Sequence, residues 1–316
     1  MSYIFKCYTD GNREFFQWEA DTKHFTTKRP VKKDFELSQS LLDFLDLDMD
    51  DYLNIFKKMG ACIQKLSISE GVALELRKSL DFISKKHIYF EFLRLQWLDR
   101  IDGFTEGKHD LYHKDLTHIP MKIITAQNQV KFMIDKALDN TDGQNKSIQK
   151  RVAALYARNS RSAEKAFSFS QIALNFERVD DSAMAEVLRP ESIIDIVDYF
   201  MREFIRREIG FKVCKNCGKY FPSTGHGNSE YCNRLFQNIG KTCKEIGAVT
   251  KWKEKVVQSP AMLLYNKYYK TRFSRIRAGK ITCEAFRVWA EQAREKRDAV
   301  MRGEIKLDEF ESWLKR

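Results

Sequence analysis

The sequence predicts a mainly α protein that opens with a small β-hairpin and ends in a four-cysteine finger followed by helices. Three observations carry that prediction. The start is aromatic and alternating, the long body repeats apolar residues at helical spacing, and cysteines cluster after residue 210. With 43% hydrophobic residues, 23 Phe and only 5 Pro, the chain has ample material for a core, which excludes a wholly disordered protein.

The N-terminal runs Tyr3-Ile4-Phe5-Lys6-Cys7-Tyr8 and Glu14-Phe15-Phe16-Gln17-Trp18 flank Asp10-Gly11, a turn signal, and so read as a hairpin. Residues 22–34 are polar, contain Lys28-Arg29-Pro30, and read as a loop. From about 36 to 105 the spacing becomes helical. Leu41, Leu42, Phe44 and Leu45 form one short amphipathic piece. Asp48, Asp50 and Asp51 open the next, where acids suit the positive end of the helix dipole. Ser67 with Glu70 fits a capping box, and the apolar run from Phe82 to Trp97 predicts a buried helix.

Residues 103–120 read as a polar loop, with helices resuming near 123–139 and 147–158. Alternation through Phe167, Phe169, Ile172, Leu174 and Phe176 predicts a short strand or two. Pro190 opens a strong helix through Ile193, Val197, Phe200 and Phe204, with Gly210 just past its end. Ser259-Pro260 starts another helix, and a hairpin of helices at about 282–301 and 307–315, parted by Gly303, completes the chain. Three regions follow: a mostly helical domain over 1–210 with the β-hairpin at its start, the finger over 211–258, and a basic helix with the helical hairpin over 259–316.

The formal net charge of +11 is unevenly placed. Residues 1–200 hold 29 basic and 31 acidic side chains, whereas 212–280 hold 15 and 3. A local field that steep predicts an acidic partner, with nucleic acid first among them. No apolar run is long enough to cross a membrane and no signal-peptide core opens the chain, so a cytoplasmic protein without a membrane partner is expected.

The cysteines follow the pattern Cys-x2-Cys-x14-Cys-x10-Cys at Cys214, Cys217, Cys232 and Cys243. Zinc favours four thiolates in a tetrahedron, and a Cys-x2-Cys turn supplies two of them. Gly218 supplies the backbone freedom that such a knuckle needs, and Tyr220 or Phe221 can pack beneath the metal. His226 is the rival ligand. Four protein ligands leave no place for water, so the site is structural. The metal with its four thiolates carries a net −2, which Lys212, Lys215, Lys219, Lys241 and Lys244 partly balance. Cys7, Cys62 and Cys283 have no sequence partners and read as core or half-buried thiols.

The Cys-x2-Cys-Gly-x2-Phe start and the Tyr231-Cys232 return resemble treble-clef-like bacterial fingers, including the CGNR type. Cys232-Asn233-Arg234 lacks the intervening Gly of that type. The stretch from Ser192 to Lys255, about a fifth of the chain, more closely resembles an uncharacterised bacterial family. There a helix leads into Cys-x-Asn-Cys-Gly-Lys-Tyr-Phe, then Tyr-Cys, then the Gly240-Lys241-Thr242-Cys243-Lys244-Glu245-Ile246-Gly247 element seen here. The resemblance implies a treble-clef-like zinc finger and nucleic-acid binding, without an established activity.

The nucleic-acid contacts are expected from Lys219, Arg234, Lys251, Lys253, Lys255, Lys267, Lys270, Arg272, Arg275 and Arg277. On the helix after Pro260, residues 265, 268, 269, 272 and 276 share an aromatic face, and 267, 270, 274 and 277 a cationic one. The rival reading is a protein-interaction or scaffold module, with a purely structural zinc and a partner or self-association surface on the N-terminal domain.

Catalytic motifs are sparse. Gly240-Lys241-Thr242 lacks the first Gly of a phosphate loop, because position 235 is Leu. Gly225-His226-Gly227-Asn228 lacks the further histidines of a His-Asn-His nuclease. His109, His113 and His118 read as surface histidines, and the Asp48–Asp51 acids lack the Gly and Glu of a calcium loop. An enzyme would need polar groups that assemble only in three dimensions.

Overall fold

The computed structural model describes all residues except 1, 24, 66–69, 140–146, 158–163, 182, 224–228, 237–239, 248 and 250–258. They form two compact units: Met1–Val213 with Lys219–Ser229, and Cys214–Gly218 with Glu230–Arg316.

The first unit is mixed rather than helical with a lone hairpin. Its sheet has six antiparallel strands, β1 (Tyr3–Asp10), β2 (Arg13–Thr22), β3 (Phe25–Thr26), β4 (Val31–Glu36), β5 (Leu174–Arg178) and β6 (Met184–Leu188), in the order β3-β2-β1-β6-β5. The expected hairpin is present, paired from Tyr3–Ala20 to Asp10–Arg13 around Gly11 at φ +53°. β3 and β4 both add to the outer edge of β2, so the loop expected over 22–34 is corrected to two strands and their turns. The β4 pattern Val31-Lys32-Lys33-Asp34-Phe35-Glu36 is hard to read because a lysine stands among the apolar positions. Lys33 sits there over the Trp18 ring, 5.7 Å from its centroid. The hairpin β5–β6 joins through Cys7–Leu188, a pairing that spans most of the unit's sequence. Of the alternating run at 167–176 only its last residues enter β5; Phe167 is instead buried in the core.

The helices are α1 (Gln39–Leu45), α2 (Asp50–Lys65), α3 (Glu70–Ser84), α4 (Ile88–Thr105), α5 (His113–Thr117), α6 (Ile119–Met133), α7 (Ile148–Ala157) and α8 (Ile193–Arg206). A π-helical turn, Ile134–Leu138, extends α6. The capping box expected at Ser67 lies outside the described residues. The polar stretch 103–120 holds α5 and the start of α6, correcting the expected loop. The apolar run from Phe82 is broken between α3 and α4, and Phe82 itself is half exposed. α4 is buried around much of its circumference, as an apolar helix without a polar face must be. Phe16 of β2 meets Tyr89 of α4 and Phe200 of α8 at ring separations of 6.0 and 5.6 Å, which places the core between the sheet and these two helices.

α8 starts at a capping box between Ser192 and Asp195. It ends earlier than expected, because Glu208, not Gly210, takes the left-handed turn at φ +54°. The Glu208 carboxylate then accepts hydrogen bonds from the first N–H groups of α7, which explains why a non-glycine holds this strained position. The hairpin β7 (Gly210–Val213) and β8 (Tyr220–Ser223) follows.

The second unit ends in α9 (Pro260–Arg277), α10 (Cys283–Met301) and α11 (Leu307–Lys315), the three helices expected. Ser259 and Thr282 cap α9 and α10 by accepting from the N–H groups of Met262 and Ala285. Gly303, at φ +80°, closes α10 with a carbonyl-capping turn. Tyr265, Phe286, Trp289, Phe310 and Leu314 bury together as the core of these helices. None of the described helices is long and apolar enough to cross a membrane.

Candidate metal centre

Cys214, Cys217, Cys232 and Cys243 converge, with their sulfur atoms all within 4.8 Å of one another. Three are buried and Cys217 is partly exposed; none forms a disulfide. The Sγ atoms of Cys217 and Cys232 are 3.7 Å apart, far beyond a sulfur–sulfur bond. These are the four residues the spacing singles out, and together they are placed to hold one metal ion.

Local chemistry builds each half. Between Cys214 and Cys217 the chain turns back on itself: the Gly218 N–H donates to the Cys214 carbonyl at 2.8 Å, with Gly218 at φ +72°. Open space surrounds the position of a Gly218 Cβ, so the glycine is needed for its backbone angle alone. In the second half Leu235 and Thr242 face each other in an antiparallel bridge. The N–H groups of Cys243 and Lys244 donate to the carbonyls of Arg234 and Cys232. Cys243 begins a helical turn over 243–247. Thr242 caps it: Glu245 N–H donates to Thr242 Oγ1, and Thr242 N–H donates back to Glu245 at 2.7 Å. That Thr-x-x-Glu box stands in the sequence immediately around Cys243 and could have been read there.

The sulfurs sit among donors. Cys232 N–H donates to Cys214 Sγ at 3.4 Å, and Asn216 Nδ2 donates to Cys243 Sγ at 3.4 Å. Burial raises the Cys214 thiol, but N–H donors from Cys232, Cys217 and Asn216 outweigh it and bring it down to about 7. Burial pushes Cys232 up to about 12; the neighbouring cysteines add to the rise and the Arg234 N–H opposes it. Four thiols this close cannot all ionise unless a cation joins them, which is the condition that a metal satisfies.

Of Tyr220 and Phe221, either of which could pack beneath the metal, Tyr220 packs on the core of the first unit and donates to Asp135 at 2.7 Å. His226, the rival ligand, lies outside the described residues. Cys283 is exposed, correcting the expectation of a core or half-buried thiol; Cys7 and Cys62 are buried, within that expectation.

The expected cationic residues divide. Lys219 forms an ion pair with Asp46 at 3.1 Å, which offsets its charge. Arg234 is half-buried beside the cysteines. Lys251, Lys253 and Lys255 lie outside the described residues, as does the Arg277 side chain. Lys267, Lys270 and Arg275 are exposed on α9. Arg272 is a correction. It sits on the packed face, with its guanidinium 4.7 Å from the Trp289 ring centroid. Burial, with the Arg275 charge adding, holds its pKa below the usual arginine range. Its helical phase, between Tyr268 and Ile276, turns it inward.

A cavity of about 360 Å³ in the first unit is lined by Lys33, Ser40, Asp43 and His87 among others. His87 has no nitrogen left for chemistry there. Its Nδ1 accepts from the Tyr89 N–H at 3.2 Å, so Nε2 carries the proton and donates to the Ser40 carbonyl at 3.0 Å. His109 lies outside any helix, with its ring against Gly103, and so does not share a face with His113.

No curated protein and no solved structure matches the chain. Residues 164–316, which take in β5, β6, α8, the four cysteines and the three C-terminal helices, match the model of a family of unknown function (DUF6076).

Proposed function

We propose that the C-terminal unit is a zinc-stabilised nucleic-acid-binding module of a regulator or accessory factor. One observation carries the reading. No acidic residue occurs from 255 to 283, and within that stretch α9 exposes Lys267, Lys270 and Arg275, none of them in an ion pair with a described residue. Unbalanced cations on one helix repel one another in the free protein, and a polyanion relieves that repulsion.

Zinc is favoured by the donor set. Four thiolates in a tetrahedron select zinc or iron, and zinc–sulfur bonds of about 2.3 Å imply sulfur separations of about 3.8 Å. The 3.7 Å between Cys217 and Cys232 agrees with that edge. With four protein ligands the metal has no open position, so its role is to pin the chain.

Fluorescence anisotropy with labelled DNA and RNA tests the binding. Affinity should fall with salt by about 0.9 log units per log unit of salt for each duplex phosphate neutralised, or about 0.7 for a single strand. Salt-independent binding, or none to any nucleic acid, overturns the reading.

A second reading rests on a different surface. β5 is an edge strand, and Phe176 and Met184 on the β5–β6 hairpin are 70% and 53% exposed. An exposed apolar edge suits a protein partner or a second copy of this chain. Light scattering of the wild type and of Phe176→Ser tests it: a dimer that Phe176→Ser dissociates supports self-association.

A further inference from the structure

We infer that the partner of the exposed β5 edge is a second copy of this chain, with the two β5 strands paired antiparallel about a two-fold axis at Phe176. The inference rests on the exposed-edge reading and narrows it to one partner and one register. β5 is the last strand of the sheet and pairs with β6 alone. Val179 N–H donates to the Ala183 carbonyl at 3.0 Å, in register with the β5–β6 pairs. Hydrogen-bonded and non-bonded pairs alternate along an antiparallel ladder. Asn175 and Glu177 therefore bond to β6, while Leu174, Phe176 and Arg178 turn their N–H and C=O groups outward. The facing strand agrees: the Glu186 carbonyl, opposite Phe176 and turned away from β5, accepts from the Tyr199 hydroxyl at 3.2 Å. Among the described residues nothing bonds to the outward groups of β5.

This edge is unguarded. β4, at the opposite edge, carries Lys32 and Lys33 and follows Pro30, residues that discourage strand addition. β5 has neither lysine nor proline. Its two charges are balanced within their own chain. Glu177 pairs with Lys6 at 2.7 Å and with Arg189 at 2.9 Å, and Arg178 pairs with Asp181 at 3.0 Å. Phe176 and Leu174 are 70% and 40% exposed, beside Met184 at 53%. The strand is also self-complementary. Phe176 is its midpoint, so a two-fold axis there sets all five residues of one β5 against all five of the other. Phe176 meets its own counterpart, Leu174 meets Arg178 and Asn175 meets Glu177 across the axis, so no like charges face each other. About six main-chain hydrogen bonds form. An axis at Arg178 would oppose two arginines. An axis at Leu174 would need the residues before β5, where Ile172 packs on the core of its own unit.

The test is sedimentation velocity on the whole chain across a concentration series. Wild type should form a dimer. Leu174→Pro removes an outward N–H that β6 does not use, and Phe176→Ser removes the central ring. Each should weaken the dimer about 10-fold or more while leaving thermal unfolding of the monomer unchanged. Cross-linking reads the register. In a Cys283→Ser background, Leu174→Cys combined with Arg178→Cys should give a covalent dimer on mild oxidation, because bonded residues on paired strands stand about 5.5 Å apart, within disulfide reach. Neither single variant should cross-link, since each position lies far from its own counterpart. A wild-type monomer throughout the series overturns the inference and leaves a different protein as the partner of the edge. If Phe176→Ser dissociates the dimer but the double variant fails to cross-link, or a single variant does cross-link, this strand pairing fails and the exposed-edge reading survives. A dimer that persists in both Phe176→Ser and Leu174→Pro overturns both.

Discussion

Tyr231 lies so close to Gly247 that a Cβ on the glycine would fall 2.5 Å from three atoms of the tyrosine ring. The residue before the third cysteine thereby packs on the backbone four residues after the fourth. The contact ties the loop carrying Cys232 to the helical turn carrying Cys243, and it gives the Tyr-Cys and Ile-Gly pairs of the motif a shared physical purpose. Gly247→Ala should push the ring away and destabilise the metal centre by about 1–3 kcal/mol, read as faster metal loss to a chelator. Adding Tyr231→Ala should recover part of that loss. A double mutant whose effect is the simple sum of the singles would rule out the contact as the cause.

Metal content follows from the four sulfurs. Purified protein should carry about one zinc per chain by elemental analysis. Cys214→Ser should lose it and loosen the chain around the cysteines, seen as faster amide exchange over 214–218 and 230–247. Iron in place of zinc would preserve the site and correct the metal. Because the ligands must be deprotonated, acidification should release the ion and neutral buffer with zinc should restore it.

Arg272 and Lys267 should separate stability from binding. Arg272→Ala removes a guanidinium from the face of Trp289 and should lower the stability of the C-terminal helices by about 1 kcal/mol. Lys267→Ala should change thermal unfolding little, since the side chain is exposed and without an ion pair, while weakening nucleic-acid binding and reducing its salt slope. Equal stability of the two variants would place Arg272 outside the packing of that core.

Glu14 makes the first unit sensitive to pH. The carboxylate is fully buried and accepts from the N–H groups of Ser38 at 2.6 Å and Ser40 at 3.0 Å, at the start of α1. Burial raises its pKa from 4.5 to about 7, outweighing those hydrogen bonds. The folded state therefore holds this proton more tightly than the unfolded chain. The stabilisation is complete below about pH 4.5, declines as pH rises, and is lost by about pH 7. Its full size is about 3 kcal/mol. Glu14→Gln should flatten that decline in urea unfolding measured across the interval. An unchanged slope would show that Glu14 is ionised throughout.

Much of the metal centre was legible because its determinants are local. Cys-x2-Cys followed by Gly is a turn whose geometry is complete within five residues, and Gly218 adopts the left-handed angle that the motif demands. The helices from Ser192, Ser259 and Thr282 begin where their capping side chains stand, since a cap acts on N–H groups only two or three positions away. Arg272 shows the limit. Its helical phase was readable, but a charged residue on an aromatic face can serve a partner or a packed tryptophan, and only the arrival of Trp289 from the next helix distinguishes them.

By itself, then, the sequence determined the four candidate ligands, the three C-terminal helices and the placement of nearly all the excess charge after residue 212. The tertiary structure decided that the N-terminal hairpin grows into a six-stranded sheet through β3, β4 and the distant β5–β6. It also decided which cations remain unpaired and why position 247 is glycine. The physical reason is range. Turns, caps and helical faces depend on neighbours within a few residues, whereas strand addition, ion pairing and close backbone approach depend on groups that meet only when the chain has folded.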